Sequence, residues 1–169
     1  VGSRALRERS CYPEKVFALI VGNSDGIGLA LTRHLLERGG FSIVGVSRSE
    51  SPLEHPDYRH VVLDVTDRLY LDQLASALGD GEAPALVVYC AGVGELLDLD
   101  NLQQQRKAIE VSLNGLVATV EVVLPEMLRA GDGHIIALSS LADAAHSPDA
   151  PGYAAAKAGA SRYLESLAL

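Results

Sequence analysis

The sequence predicts an α/β fold: a doubly wound parallel sheet in three layers, α/β/α. Three observations lead there. From Val16 onward, short apolar runs alternate with longer stretches whose apolar residues recur at helical spacing. Nearly half of the residues are apolar, yet aromatics make up only 5% and Trp is absent. Val, Leu, Ile and Ala must therefore fill the core, as they do in sheets covered by helices on both faces. Finally, a glycine-rich turn separates the first apolar run from the first helical stretch. With 169 residues the chain fits one domain, divided into a polar lead-in over 1–15 and the fold itself over 16–169.

The elements follow in order. Val16 to Val21 is short, apolar and β-branched, a buried strand that ends at Gly22. Ile27 to Arg38 has helical periodicity and stops at Gly39-Gly40. Phe41 to Val46 and His60 to Leu63 are the second and third strands. Asp67 to Leu78 predicts a helix with Thr66 as its N-cap. Ala85 to Tyr89 is the fourth strand. A long helix is expected from Asn101 to Arg129, with Pro125 kinking or breaking it near the end. His134 to Leu138 is the fifth strand, and an Ala-rich helix runs from Gly152. This alternation implies parallel strands joined by right-handed crossovers.

Bulk properties exclude several functions. A net charge of −8 argues against a nucleic-acid partner, which needs a basic surface. Cys11 and Cys90 sit in no metal-ligand spacing, and the five histidines are scattered, so no metal is expected. Cysteine usage fits a reducing, cytoplasmic setting, with Cys90 a buried thiol. No apolar stretch reads as long enough to span a bilayer, and no signal-peptide pattern opens the chain. The first residue is Val, so a processed or trimmed form of a longer product is expected.

Gly22-Asn23-Ser24-Asp25-Gly26-Ile27-Gly28 fills the first strand-to-helix turn. Glycines there let backbone amides approach a pyrophosphate, and the helix N-terminus adds partial positive charge. A purely structural tight turn would carry the same glycines. The second strand ends at Ser47-Arg48, where such folds meet an adenosine ribose. An acidic residue there would repel a 2′-phosphate, whereas Arg48 would pair with one. NADP is therefore the expected cofactor, with NAD possible; Asp25 argues the other way, and Arg48 could equally be an ordinary surface arginine.

Tyr153 and Lys157 lie four apart, on one face of the last helix. A free phenol titrates near pH 10, and a neighbouring ammonium favours its ionised form. A tyrosine so placed can act as a general acid or base near neutrality. Tyr-x-x-x-Lys alone recurs by chance on surface helices. Here the small residues Ala154, Ala155, Ala156, Ala158, Gly159 and Ala160 suit a helix packed closely on another surface. Thirteen residues before Tyr153, Ser140 follows the fifth strand, at the carboxyl end where these folds bind ligands. Its hydroxyl could bond a substrate carbonyl oxygen or could simply terminate the strand.

Taken together, these pieces resemble the short-chain dehydrogenase/reductase family from about Val16 to the end of the chain. The matching segments are Gly22-x-x-x-Gly26-Ile27-Gly28, Leu63-Asp64-Val65, Cys90-Ala91-Gly92, Val111-Ser112-Leu113-Asn114-Gly115, Ser140 and Tyr153-x-x-x-Lys157. The resemblance implies a Rossmann fold and an NAD(P)-dependent oxidoreductase that moves hydride between nicotinamide and a carbonyl or alcohol substrate. Tyr153 would be the acid/base and Ser140 would orient the substrate oxygen. Lys157 would make the tyrosine more acidic and bind the nicotinamide ribose, and Asn114 would hold a water linking Lys157 to solvent. The cofactor would meet Gly22, Ser24, Asp25, Gly26, Ile27, Gly28, Ser47, Arg48, Asp64, Val65, Cys90, Ala91 and Gly92, along with Tyr153 and Lys157. A homodimer or homotetramer is also implied.

Two features depart from the family pattern. Val21 replaces the usual Thr before the first glycine, and Tyr89-Cys90 replaces two asparagines. The chain also stops inside the helix that carries Lys157, short of the family's last strands and substrate loop. A non-catalytic, cofactor-sensing or scaffold relative is the competing expectation.

Overall fold

In the computed structural model, residues 15–79 and 83–167 are described, and the lead-in before Lys15 lies outside them. Five parallel strands form one sheet in the order β3-β2-β1-β4-β5. They are β1 (Val16–Val21), β2 (Phe41–Ser47), β3 (Tyr58–Val62), β4 (Leu86–Tyr89) and β5 (His134–Ala137). The order reverses between β1 and β4, and that crevice is where a doubly wound sheet binds its ligand. Helices α1 (Gly26–Arg38), α2 (Tyr70–Leu78), α3 (Gln103–Ile109), α4 (Gly115–Ala130) and α5 (Pro151–Leu167) complete the outer layers.

Strand alternation divides the core into two. Ala18, Ile20 and Ile43 face Leu36 and its neighbours on α1. Leu19, Val21, Val44, Val46, Val87 and Tyr89 face the opposite side, against Tyr70 and Leu74 of α2, Leu116, Val120 and Val123 of α4, and Ala160 of α5. The β-branched runs are thus buried on both faces, which is why they show no polar alternation.

Three expectations need correction. Thr66 does not cap α2, which begins at Tyr70. Its hydroxyl and amide both donate to Asp64 Oδ1, at 2.8 and 2.9 Å, forming a local turn instead. Pro125 does not end the long helix, which runs on to Ala130; the irregularity is a π turn over Glu110–Asn114. Residues Gln103–Ala130 also form one helical stretch long and apolar enough to cross a bilayer, contrary to the sequence-based expectation. Val111, Leu116, Val120, Val123 and Met127 of this stretch are buried in the core, while Leu128 is exposed.

Tyr70 gives the core a pH dependence. It is 1% exposed, with its hydroxyl 2.8 Å from Thr119 Oγ1. Burial pushes its phenol up to about 12, against a smaller opposing effect of the Thr119 bond. Unfolded, the phenol would lose its proton near pH 10. The unfolded chain therefore binds fewer protons between about pH 10 and 12, and stability should fall as pH rises through that window. At about 1.4 kcal/mol per unit, the loss should total roughly 2–3 kcal/mol. Urea midpoints at about pH 9 and about pH 11 should show roughly half of this fall, and Tyr70→Phe should lessen it without abolishing it, because burial also holds the Tyr89 phenol well above its ordinary value.

Candidate active site

The crevice between β1 and β4 begins at the glycine turn. Gly22 has φ 85° and Gly26 has φ 51°, conformations that favour glycine. A Cβ on Gly22 would lie 2.5 Å from the Ala91 amide nitrogen, and one on Gly28 would lie 2.0 Å from the Gly22 carbonyl oxygen. The first requirement brings the β1 and β4 ends together; the second seats α1 on the turn. Asp25, the N-cap of α1, makes no side-chain cap bond, so the first amides of this 13-residue helix keep their donors for a ligand. Fully buried Asn23 donates from Nδ2 to Tyr58 Oη at 2.7 Å, tying the turn to β3. The residues present therefore fit a dinucleotide phosphate.

One lobe of the crevice is lined by Gly22, Ser24, Asp25, Ser47, Arg48, Asp64, Val65, Cys90, Ala91 and Gly92. The resemblance placed these at a cofactor site, and the fold brings them together with Val21, Ser49, Leu63, Val93, Lys107 and Val111; Gly26 and Gly28, also expected there, line neither lobe. Ser47 Oγ donates to the Ser49 carbonyl at 2.8 Å, which fixes the turn that carries exposed Arg48. Burial works to raise the Asp64 carboxyl, but the two Thr66 bonds, with Arg48 and Lys107 nearby, hold it below the usual carboxylate value. Burial pushes the Cys90 thiol up to about 11, partly offset by Lys157, so it is inert at neutral pH.

The second lobe is lined by Ile27, Cys90, Gly92, Gly94, Leu138, Ser139, Tyr153 and Lys157, among others. Lys157 is 6% exposed and donates from Nζ to the Leu138 carbonyl at 2.7 Å. Its ammonium lies 5.7 Å from the centre of the Tyr153 ring. Gly94 leaves room for that ring, since a Cβ there would sit 2.9 Å from Tyr153 Cδ2. Cys90 and Gly92 border both lobes, so a single extended ligand can reach from Arg48 to Tyr153.

The serine pair divides its duties. Ser140 is half-buried, and its Oγ accepts from the Ala142 amide at 3.2 Å, starting a short 3-10 turn. Ser139 Oγ donates to Asp143 Oδ2 and lies 2.8 Å from Ser161 Oγ, which joins the segment after β5 to α5. Ser139, and not Ser140, borders the second lobe.

Asn114 is not brought to this group. It is exposed and outside both lobes, so the water-holding role expected for it finds no support in its position. Two residues turn a helix by about 200°, and it is Ser112 that faces inward, 2% exposed. Sequence inspection missed Ser112, Gly94 and Asn23. The Gly92-x-Gly94 spacing is a legible cue; a helical serine and a loop asparagine carry none.

The short chain dehydrogenase family model matches residues 16–169. Short-chain dehydrogenase/reductase 3 of Homo sapiens is 32% identical over 164 residues, covering 89% of this chain and 54% of the relative. The 2-dehydro-3-deoxy-L-rhamnonate dehydrogenase (NAD(+)) of a Sphingomonas species is 28% identical over 161 residues, covering 89% and 64%. The chain thus spans about half to two thirds of these proteins' length. A short chain dehydrogenase from Leptospira borgpetersenii, solved with bound NAD+, superposes with a TM-score of 0.82 at 19% identity, covering 92% of this chain and 65% of that one. The glycine turn at the sheet's crossover, the Tyr153–Lys157 pair facing it and the match over 16–169 agree, and the chain belongs to the short chain dehydrogenase family.

Proposed function

We propose that the chain carries the cofactor-binding and proton-transfer parts of an NAD(P)-dependent oxidoreductase acting on a carbonyl or alcohol. The observation that carries this is the cleft that joins the glycine turn to buried Lys157 and Tyr153. When bound, a nicotinamide dinucleotide supplies or accepts the hydride. The glycine turn and the α1 N-terminus would hold its phosphates, and Arg48 would face the adenosine ribose. Tyr153 would give a proton to the carbonyl oxygen, or take one from the alcohol in reverse. Lys157, held by the Leu138 carbonyl, sets its Nζ 5.7 Å from the centre of the Tyr153 ring. Ser140 would orient the substrate oxygen once its hydroxyl turns from the Ala142 amide. The relatives' names and the bound NAD+ of the Leptospira neighbour support the coarser part of this reading.

NADP preference is the finer part and rests on Arg48. Titrating NADPH and NADH into the Trp-free chain, followed by nicotinamide fluorescence, tests both parts. Saturable binding with NADPH preferred is expected, and Arg48→Ala should weaken NADPH about tenfold while sparing NADH. Equal affinities for the two would remove Arg48 from the phosphate site. Binding of neither would remove the cofactor assignment.

A further inference from the structure

Two turns of the cofactor crevice are joined behind its wall. Asn23, fully buried in the glycine turn, donates from Nδ2 to Tyr58 Oη, and its Oδ1 has no partner among the described residues. Tyr58 and His60 stand two apart on β3 and so share one face of the sheet. Tyr58 Oη lies 2.9 Å from His60 Nδ1. On the other side of the ring, His60 Nε2 lies 2.9 Å from the Ser49 carbonyl oxygen and 3.4 Å from Ser47 Oγ. Gly45, which pairs with His60 between β2 and β3, leaves the space for this chain of groups. A Cβ there would lie 2.0 Å from Asn23 Nδ2 and 2.7 Å from Tyr58 Oη.

The chemistry of the groups fixes the direction of each bond. An amide nitrogen only donates and a carbonyl oxygen only accepts. His60 Nε2 must therefore carry the proton that meets Ser49. In the neutral ring Nδ1 is then an acceptor, so the Tyr58 hydroxyl donates to it and accepts from Asn23. The Ser49 carbonyl takes two donors, His60 Nε2 and Ser47 Oγ, which close the turn around Arg48. Asn23, Tyr58 and His60 line neither lobe of the cleft, so their effect on a ligand passes through the two turns.

We infer that His60 is a positioning residue for the dinucleotide: Nε2 sets the turn that carries Arg48, and Nδ1, through Tyr58, sets Asn23 in the glycine turn. This deepens the proposed function and rests on that reading. Two substitutions separate the two sides of the ring. Asparagine at 60 keeps an acceptor near Nδ1 but cannot reach Ser49, whereas glutamine keeps a donor near Nε2 and leaves Tyr58 without its acceptor. When NADPH and NADH are titrated into the full chain, His60→Asn should cut the preference for NADPH about three- to tenfold, the usual worth of one hydrogen bond. His60→Gln should keep the preference and weaken both nucleotides alike, by about threefold. Tyr58→Phe should match His60→Gln and add nothing when combined with it. A ring that only fills space would make the two His60 variants alike. Equal changes of preference in both, or no change in either, would overturn the inference.

A second readout needs no nucleotide. With 15N at the five histidines of the chain, the His60 signals are identified by their loss in His60→Asn. They should show the Nε2–H tautomer at about pH 8, where an ordinary imidazole is neutral, and the Nδ1 signal should move in Tyr58→Phe. An Nδ1–H tautomer, or an Nδ1 signal indifferent to Tyr58→Phe, would also overturn the inference. If the unaltered chain binds both nucleotides equally, the Arg48 reading fails, and the ring signals decide whether His60 joins the two turns. If Tyr58→Phe does not fold, the two His60 variants carry the test.

Discussion

Replacing Tyr153 with phenylalanine is expected to lower kcat by about 10²–10⁴-fold, the usual worth of a placed general acid or base, while nucleotide affinity stays near that of the unaltered chain. The substitution removes one oxygen and little else. The ring would still lie against Gly94, and Lys157 would still be held by the Leu138 carbonyl. A paired measurement checks this: steady-state turnover with a carbonyl substrate, and the NADPH titration. Turnover that survives the change would remove Tyr153 from the chemistry. Loss of both turnover and binding would show that the phenol serves the shape of the cleft.

The largest expected effect on stability comes from Gly22→Ala. The new methyl would meet backbone, not flexible side chain: the Ala91 amide nitrogen at 2.5 Å, its Cα at 2.6 Å and the Cys90 carbonyl carbon at 2.9 Å. These atoms cannot yield easily, because the Cys90 amide donates to the Val21 carbonyl and the Gly22 amide to the Val46 carbonyl, both at 2.7 Å. The positive φ of 85° adds conformational strain. Together these should cost on the order of 3 kcal/mol or more and remove nucleotide binding. Gly39→Ala is the control. Its φ of 73° is comparable, but nothing lies within 4 Å of its Cβ position, so only the conformational cost of about 1–3 kcal/mol applies. Urea denaturation of the two variants separates the terms. Equal losses would mean that the close approach of β1 to β4 is not what demands glycine at 22.

Much of the fold was legible in the sequence. β1 was bounded correctly at Val16–Val21, and the other strands shifted by at most two residues at either end. Apolar period and glycine punctuation are local properties that the chain states directly. The start of α2 differs because the Thr66 hydroxyl donates to Asp64 instead of accepting from a helix amide, and residue type does not reveal that competition. Pro125 drew attention to the wrong place on the long helix. The helix is interrupted where its Val111 carbonyl accepts from the Tyr89 hydroxyl of β4, and no window of helix sequence contains that partner.

The candidate site divides in the same way. Gly22, Gly28, Tyr153 and Lys157 could be named from spacing together with their place in the element order and the small residues around Lys157, because strand-to-helix turns and helix periodicity fix their neighbours. Asn114 and Ser112 are two positions apart in one segment, and spacing could not say which faces inward. Ser139 and Ser140 are adjacent, and only the packing of α5 shows that the first borders the second lobe of the cleft.

By itself, then, the sequence determined the parallel α/β architecture, the position of the glycine turn and the Tyr153–Lys157 pair, since all three follow from periodicities within a few residues. The tertiary structure alone decided that the Tyr89 hydroxyl meets the Val111 carbonyl where the long helix is interrupted, that Ser112 turns inward while Asn114 is exposed, and that one cleft joins Arg48 to Tyr153. Those facts depend on contacts between elements far apart in the chain. A single hydrogen bond across such a gap can reset which face of a helix looks inward, because one added residue in a turn rotates everything beyond it by about 100°.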